Sequence, residues 1–221
     1  MINSLMTIIL SILIPTVPSR LNYFYPKIMN HLWNQIEGKY NDCVELIALF
    51  DNKKRLIGKK RQEMVDIAQG KYVVFIDDDD RVADDYVEAI INELRANPDV
   101  DVLVYNCICR VNNGSDKLCK YGKEFEYGDI LGGKEWRGKP AHTMVWKTSI
   151  VRNHKYQNMG HGEDVNWVVR ATKDVQTQVR IDRVLYWYDA NYKTTSETAG
   201  LSDNHIKMNI LKLINESNKN N

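Results

Sequence analysis

Three apolar runs, each followed by polar residues and then by a helical pattern, constrain the fold of this chain more than any other feature. The first run begins at Met6 and is ended by Pro15-Thr16, and the other two are residues 44–50 and 72–76. Strands that alternate with helices form parallel sheets whose two faces are covered by those helices. The pattern therefore predicts an α/β fold in which the three runs are buried, neighbouring strands with helices on both faces.

The segments between and after these runs carry apolar residues at helical spacing. These residues are Phe24, Ile28, Leu32 and Ile36, then Met64, Val65 and Ala68, and then Tyr86, Val87, Ile90, Ile91 and Leu94. Each segment is predicted to form one amphipathic helix. Gly38, Gly70 and Pro98 follow the periodic residues and predict where the three helices end.

Polar residues, which we call the three polar tips, stand at the end of each run. They are Pro15-Thr16, Asp51-Asn52 and the four aspartates 77–80. In open parallel sheets, ligands bind beyond the carboxyl ends of the strands. We therefore expect the three polar tips to meet in one crevice.

The pattern changes after residue 100. Residues 100–111 form a long strand-like run that is joined through a turn to a second run at 118–121, which predicts a hairpin. Residues 122–142 lack periodicity and are predicted to be a functional loop or lid. Further elements are predicted as a strand around residues 144–146, a helix from residue 163, a strand over 179–188 with a slip between Ile181 and Val184, and a closing helix over 206–214.

Composition excludes several classes of protein. The chain has 221 residues, of which 43% are hydrophobic and 27% charged, and its net charge of +1 gives no global case for nucleic-acid or membrane binding. No segment approaches the roughly 20 apolar residues that a membrane span needs. The first apolar run has no basic segment before it and ends at Pro15, so we expect a buried strand in a cytoplasmic protein rather than a signal peptide.

The four cysteines lack the paired spacing of a zinc site. They are Cys43, Cys107, Cys109 and Cys119. We expect reduced thiols with a structural role.

The four aspartates of the third tip repel one another unless a positive charge lies among them. Capping of the following helix is one alternative, because carboxylates favour helix starts. A calcium loop is another, but the glycine that such loops require in the middle is absent. The density of acids at a strand end favours a metal site.

Six cations lie between residues 53 and 61: Lys53, Lys54, Arg55, Lys59, Lys60 and Arg61. They could form a solvated charged face, a diphosphate site or a contact to a nucleic-acid backbone. The sequence leaves the three interpretations open for most of them.

Five motifs in order carry a resemblance to a known family. They are the run ending in Pro15-Thr16, then Asp51, then Arg61 ahead of Ala68-Gln69-Gly70-Lys71-Tyr72, then the aspartates 77–80, and then Gly162-Glu163-Asp164. In this order the chain resembles a family 2 glycosyltransferase of the GT-A fold, possibly of the small phage or viral type. The resemblance implies one Rossmann-like domain with a mixed central sheet, and an inverting enzyme that takes sugar from a nucleotide diphosphate donor.

The resemblance also assigns roles to individual residues. Pro15, Thr16 and Asp51 would hold the nucleobase, and Arg61 would lie near the ribose or diphosphate. Asp77 and Asp79 match the family's Asp-x-Asp motif, which makes Asp79 the expected metal ligand and Asp77 a contact to ribose or to a metal-bound water. Asp78 would help to bind the donor or, with Asp80, support the cluster. Asp164, with Glu163 beside it, matches the catalytic acidic pair.

The cofactors implied are Mn²⁺ or Mg²⁺, with a UDP-sugar as the donor. Many relatives place a metal-binding histidine after the last strand, and Asn191 stands there in this chain. Because Asn is a weaker ligand, the ion is expected to depend mostly on the donor's phosphates.

Ordinary chemistry supports the same assignment. A leaving nucleoside diphosphate gains negative charge, which a hard cation on carboxylates can neutralise. The acceptor hydroxyl needs a base, and a carboxylate at a helix start is a candidate. Without the upstream motifs, Glu163 and Asp164 would be read as helix caps.

His142 and His161 are expected to be ordinary hydrogen-bonding residues, and Trp136, Trp146 and Trp167 to be core residues.

The resemblance divides the single domain, residues 1–221, into parts. Residues 7–112 would bind the nucleotide sugar, 113–200 would carry the acceptor and catalytic side, and 201–221 would form a helix and tail. The acceptor could be 5-hydroxymethylated bases in DNA, in the host cytoplasm if the protein is viral, or a glycan. Alternatives from other classes are a haloacid-dehalogenase-like phosphotransferase and a nucleic-acid-binding module that uses the six cations.

Overall fold

The computed structural model of the chain describes residues 7–111, 114–126 and 133–190. The first part contains, in order, strand β1 (Leu10–Thr16), helix α1 (Phe24–Ile36), β2 (Val44–Phe50), α2 (Ile57–Ile67), β3 (Tyr72–Phe75), β4 (Arg81–Val82) and α3 (Tyr86–Ala96). A short 3₁₀ turn, Pro18–Arg20, follows β1. The three predicted strand–helix units are therefore confirmed.

The second part is built mainly from strands. It contains β5 (Val102–Val111), β6 (Lys117–Tyr121), β7 (Glu135–Gly138), β8 (Val145–Lys147), α4 (Thr148–Asn153), α5 (Glu163–Ala171) and β9 (Gln178–Ala190). The predicted hairpin is confirmed, because β5 and β6 pair antiparallel with Cys107 opposite Cys119.

The first three strands form the predicted parallel unit. β1 lies between β2 and β3 and is parallel to both. Thr16 is opposite Phe50 at the end of β2, and Leu13 is opposite Phe75 at the end of β3. Because β3 ends three residues earlier along β1, the aspartates that follow Phe75 run beside the last residues of β1.

The rest of the sheet is mixed. β8 is antiparallel to β3 and to β5, while β9 runs parallel to β5 and also pairs with β4. The main order is β2-β1-β3-β8-β5-β6-β7. The predicted slip is confirmed, since the β5–β9 register shifts where Ile181 gives way to Val184.

Both faces of the sheet are covered at its centre. All seven residues of β1 are buried, which requires packing on both sides. The helices form two groups, in which α1 packs against α3, and α2 packs against α4 and α5. Trp146 and Trp167 are buried in edge contact, with ring centroids 4.8 Å apart, so their predicted role in the core is confirmed.

One expectation needs correction, and one alternative is excluded. The segment 122–142 is not structureless, because it contains β7, whose residues alternate between exposed and buried. That alternation covers only four residues, which is too short for a recognisable period. The alternative that the four aspartates cap a helix is excluded, because β4 separates them from α3, which begins at Tyr86. All four cysteines are buried and free, as expected.

Some predictions lie outside the described residues. These are the closing helix 206–214, Asn191 and the centre of the hairpin turn. Within the described ranges, no helix is both long and apolar enough to span a bilayer.

Gly58 in the first turn of α2 provides a test of this packing. A Cβ atom there would lie 1.9 Å from the carbonyl oxygen of Gln157, and the Gly58 amide donates to Met159 O at 3.0 Å. Gly58→Ala must push the two segments apart, and overpacking of this kind costs about 1–3 kcal/mol. We expect chemical denaturation to show a free energy of unfolding lowered by this amount.

The control for this test is Gly160→Ala, where a Cβ atom would meet only Leu56 Cδ2 at 3.4 Å. Equal stability of the two variants would show that α2 does not approach residue 157 this closely.

Candidate active site

The three polar tips meet, as predicted. Thr16 Oγ1 donates a hydrogen bond to Asp78 Oδ2 at 2.6 Å, which joins the first tip to the third. Lys60 Nζ donates to the Thr16 carbonyl at 2.8 Å and lies 2.5 Å from Asp51 Oδ1, which joins the first tip to the second. All four residues are buried.

The region around Asp51 is the predicted nucleobase site. Burial acts to raise the pKa of Asp51, but Lys60 and the Arg55 amide, which donates at 2.9 Å, hold it below its usual value. The carboxylate is therefore fixed and charged. Contact of Pro15, Thr16 and Asp51 with a nucleobase stays a prediction.

Arg61 joins the third tip to the acidic pair of the second half. Its Nη2 donates to Asp77 Oδ1 at 2.9 Å, and its Nε donates to Glu163 Oε1 at 3.1 Å. The guanidinium also lies over the Phe75 ring, 4.8 Å from its centroid. Only 4% of the Arg61 side chain is exposed. The motifs at 77–80 and 163–164 are therefore parts of one site.

Arg20 is a cation that the sequence analysis missed. Its guanidinium forms ion pairs with Asp78 and, at 2.8 Å, with Asp79 Oδ2. Asp80 is held differently, by a hydrogen bond of 2.5 Å from the Tyr186 hydroxyl on β9. Part of the positive charge that the aspartates require thus comes from the chain itself.

The cluster nevertheless retains an excess of negative charge. Burial raises the pKa of Asp79 to about 6, with the charges of Asp77 and Asp78 adding to the rise and Arg20 opposing it. Burial and the neighbouring aspartates raise the pKa of Asp80 well above its usual range. Asp77 differs, because Arg61 and His142 outweigh its burial and hold its pKa well below normal.

This donor set fits a hard divalent cation. Asp77 and Asp79 present carboxylate oxygens at the strand edge with about a quarter of each side chain exposed, at 26% and 24%. Asp78 and Asp80 are instead buried, with their oxygens bound to Thr16 and Arg20 and to Tyr186 respectively. Within the described part of the chain, no group of three acidic, histidine or cysteine side chains is arranged to hold an ion. Further ligands would therefore come from outside this set of described side chains, as from a bound donor or solvent.

The acidic pair divides into a buried and an accessible carboxylate. Both lie in the first turn of α5, after Gly162, whose φ of 74° is in the left-handed region. Glu163 is 7% exposed, and burial together with the charge of Asp164 raises its pKa to about 7 against the pull of Arg61. Asp164 is 34% exposed, and its Oδ1 accepts a hydrogen bond from the Val165 amide at 2.8 Å.

His142 lies between the two acidic motifs. Its Nδ1 is 3.3 Å from Asp164 Oδ2, and its Nε2 is 3.8 Å from Asp77 Oδ2. The sequence did not indicate that this histidine contacts the acidic motifs. The sequence signal was its position shortly before the β8 strand, which alone does not distinguish it from His161.

The six cations between residues 53 and 61 do not form one patch. Lys60 and Arg61 are buried in the site, while Arg55 lies 2.7 Å and Lys59 4.0 Å from Glu63 on the helix surface. Only part of the stretch remains to attract an external polyanion. This weakens the interpretation as a nucleic-acid-binding module.

Arg61→Met tests whether the Arg61 bridge stabilises the fold. The change leaves Glu163 buried without its counter-charge, and removing one partner of a buried ion pair costs about 3–5 kcal/mol. Thermal and chemical denaturation should show this loss. Glu163→Gln in the same molecule should restore part of the stability.

Lys59→Met on the exposed side of the same helix is the matched control for this prediction and should change stability little. If Arg61→Met were as stable as this control, the ion pairs of Arg61 with Asp77 and Glu163 would not stabilise the fold.

The chain is similar in sequence to known proteins. The model of the family described as "Glycosyl transferase family 2" matches residues 35–172. A protein of Haemophilus influenzae named "Uncharacterized glycosyltransferase" is 24% identical over 140 residues, or 63% of this chain and 52% of the relative. The chain thus spans about half the length of that relative.

Solved structures share the fold. S. aureus TarS residues 1–349, in complex with UDP-GlcNAc, superposes with a TM-score of 0.61 at 15% identity, covering 95% of this chain and 66% of that one. Glucosyl-3-phosphoglycerate synthase from Mycobacterium tuberculosis, in complex with Mn²⁺, UDP and glucosyl-3-phosphoglycerate, gives 0.60 at 10% identity, covering 94% and 80%. These similarities confirm the predicted GT-A fold with its mixed sheet.

Proposed function

This chain belongs to glycosyl transferase family 2, and on that premise we propose that it moves a sugar from a UDP-sugar to an acceptor hydroxyl with inversion at the anomeric carbon. One observation carries the proposal. Asp77 at the end of β3 and the pair Glu163-Asp164 at the start of α5 are joined through Arg61 and His142 into a single site. Such a site offers a donor end and a base within one crevice.

The donor is proposed to bind across the three polar tips. Asp51, held by Lys60, is a fixed carboxylate that can accept hydrogen bonds from a uracil ring. UDP is supported by the structural neighbours, since the TarS and synthase structures contain UDP-GlcNAc and UDP respectively. Arg61 itself is buried beneath the site, so it would act on the donor mainly by fixing Asp77.

A divalent cation, Mn²⁺ or Mg²⁺, would be held by Asp79 with help from Asp77. When bound, it would neutralise negative charge on the leaving diphosphate. The synthase structure with Mn²⁺ and the surplus of acid around Asp79 support this assignment.

Asp164 is proposed to be the base, because it is accessible while Glu163 is buried against Arg61. It takes the proton of the acceptor hydroxyl as that oxygen attacks the anomeric carbon. The new carbon–oxygen bond forms as the bond to the diphosphate breaks on the opposite side, and that electron pair leaves with the nucleoside diphosphate. Attack opposite the leaving group inverts the anomeric centre.

The acceptor class is the finer part of the proposal. We propose 5-hydroxymethylated bases in DNA, as in a small phage or viral enzyme, as the first candidate, with a glycan as the alternative. Lys53 and Lys54 are exposed next to Asp51, in the proposed nucleobase site, and their positive charge favours a polyanionic acceptor. The positive charge of Arg55 and Lys59 is partly neutralised by their ion pairs with Glu63.

The test begins with a panel of nucleotide sugars and manganese, followed by transfer assays on hydroxymethylcytosine DNA and on glycan acceptors. We expect UDP-sugar binding and slow donor hydrolysis without an acceptor. Absence of binding to every nucleotide sugar at millimolar concentration would overturn the proposal. Phosphatase activity in its place would favour the phosphotransferase class.

A further inference from the structure

We infer that His142 is a positioning residue that holds the base Asp164 at a set distance from Asp77 on the donor side. The inference rests on the proposed function and extends it to a residue outside the acidic motifs. His142 itself does not act on the substrate in this account. Its role is to hold in position the Asp164 carboxylate, which acts on the substrate as the base.

The backbone around His142 is anchored on both sides. The carbonyl oxygen of Ala141 accepts hydrogen bonds from the Met144 amide at 3.0 Å and from Trp146 Nε1 at 2.9 Å. On the other side of His142, the carbonyl of Thr143 accepts a hydrogen bond from the buried Tyr105 hydroxyl. The imidazole therefore projects from a rigid turn that joins β7 to β8.

The ring faces carboxylates with both nitrogens. Nδ1 approaches Asp164 Oδ2 at 3.3 Å, and Nε2, which is buried, points toward Asp77 Oδ2 at 3.8 Å without a hydrogen-bond partner among the described residues. The ring is 14% exposed. A buried polar nitrogen with no other partner needs its neighbouring carboxylate, so the ring orientation is set by these two acids.

The position of Asp164 depends more on His142 than the position of Asp77 does. Asp77 is already fixed by Arg61, and its amide donates to the Tyr186 hydroxyl at 3.2 Å. Asp164 is held at Oδ1 by the Val165 amide, and His142 is what approaches its Oδ2. Loss of the imidazole would let the base rotate, and misplacement of a catalytic group by about 1 Å can cost about 10²-fold in rate.

Three substitutions separate the two nitrogens. His142→Ala removes both, His142→Asn places an amide nitrogen near the position of Nδ1, and His142→Gln places one near that of Nε2. We expect the alanine variant to lose at least tenfold in transfer kcat, with the donor Kd within about twofold of wild type. The Asn variant should recover much of the loss, and the Gln variant should not.

His154, which is 19% exposed and pairs with Asp174 rather than with the acids of the site, supplies the control variant His154→Asn. That variant should match wild type in kcat and Tm. A transfer kcat of His142→Ala within twofold of the wild-type value would overturn the inference. Equal losses in the Ala, Asn and Gln variants would overturn it too, since they would show a merely structural role.

A measurement without turnover separates this inference from the proposed function. The ¹⁵N signals of the His142 ring should shift in Asp164→Asn and stay unchanged in Asp66→Asn, whose carboxylate lies on the exposed side of α2. Unshifted signals would overturn the contact even in an active enzyme. Wild-type protein without transferase activity would instead overturn the proposed function, while the ring signals would still report on the contact.

Discussion

Asp164→Asn is expected to lower the rate of sugar transfer by about 10²–10⁴-fold, the usual contribution of a general base. Asparagine is nearly the same size and can still accept the Val165 amide hydrogen bond through its oxygen. The helix start should therefore survive, and donor binding, which depends on the three polar tips, should stay within about twofold of wild type. Stopped assays of transfer and calorimetric titration of the donor measure the two quantities separately.

Asp66→Asn is the matched control for this change, because Asp66 is an exposed aspartate that accepts only from Gln62 among the described contacts. It should leave both transfer and donor binding unchanged. If Asp164→Asn lost donor binding together with transfer, Asp164 would be a structural residue and the assignment of the base would fail.

Asp79→Ala is expected to remove metal-dependent donor binding and to lower donor hydrolysis by about 10²–10³-fold. Metal ions contribute several kcal/mol to stabilising a leaving oxyanion, and each 1.4 kcal/mol corresponds to about a tenfold change in rate. Arg20 would keep its ion pair with Asp78, so the strand end should remain folded. Titration of UDP in the presence of Mn²⁺ or of a chelator measures the effect.

The control for this second change is Asp84→Ala, since Asp84 lies just past β4 with a fully exposed side chain. Donor affinity of the control should depend on Mn²⁺ as in wild type. The metal assignment would be wrong if Asp79→Ala still bound UDP more tightly with Mn²⁺ than with the chelator.

Local sequence patterns were sufficient for the parallel half of the fold. β1, β2 and β3 are continuous apolar runs, and the helices after them repeat with a period close to the helical turn, so the polar tips could be placed at one edge of the sheet. Ordered motifs then brought Asp77 and Asp164 into one site. β7 was missed because four alternating residues do not establish a period.

Among the cations of the site, only Arg61 was predicted, and that through the family resemblance. Arg20 and His142 reach their partners Asp78 and Asp164 only through tertiary packing, and nothing near either in sequence distinguishes it from a surface residue. Lys60 was read as part of a charged stretch, whereas α2 turns it and Arg61 inward. Side-chain direction on a helix depends on the face that packs, which a run of like charges conceals.

The guanidinium of Arg61 has a thermodynamic consequence for the two substrates. One buried positive charge forms ion pairs with both Asp77 and Glu163. A ligand that weakens the ion pair with one carboxylate would therefore strengthen the ion pair with the other. Occupancy of the proposed donor side would then change the free energy of acceptor binding, and linkage would require the acceptor to change donor affinity by the same factor. Coupling between the two proposed substrate sides would thereby pass through the side chains that join them, Arg61 and His142.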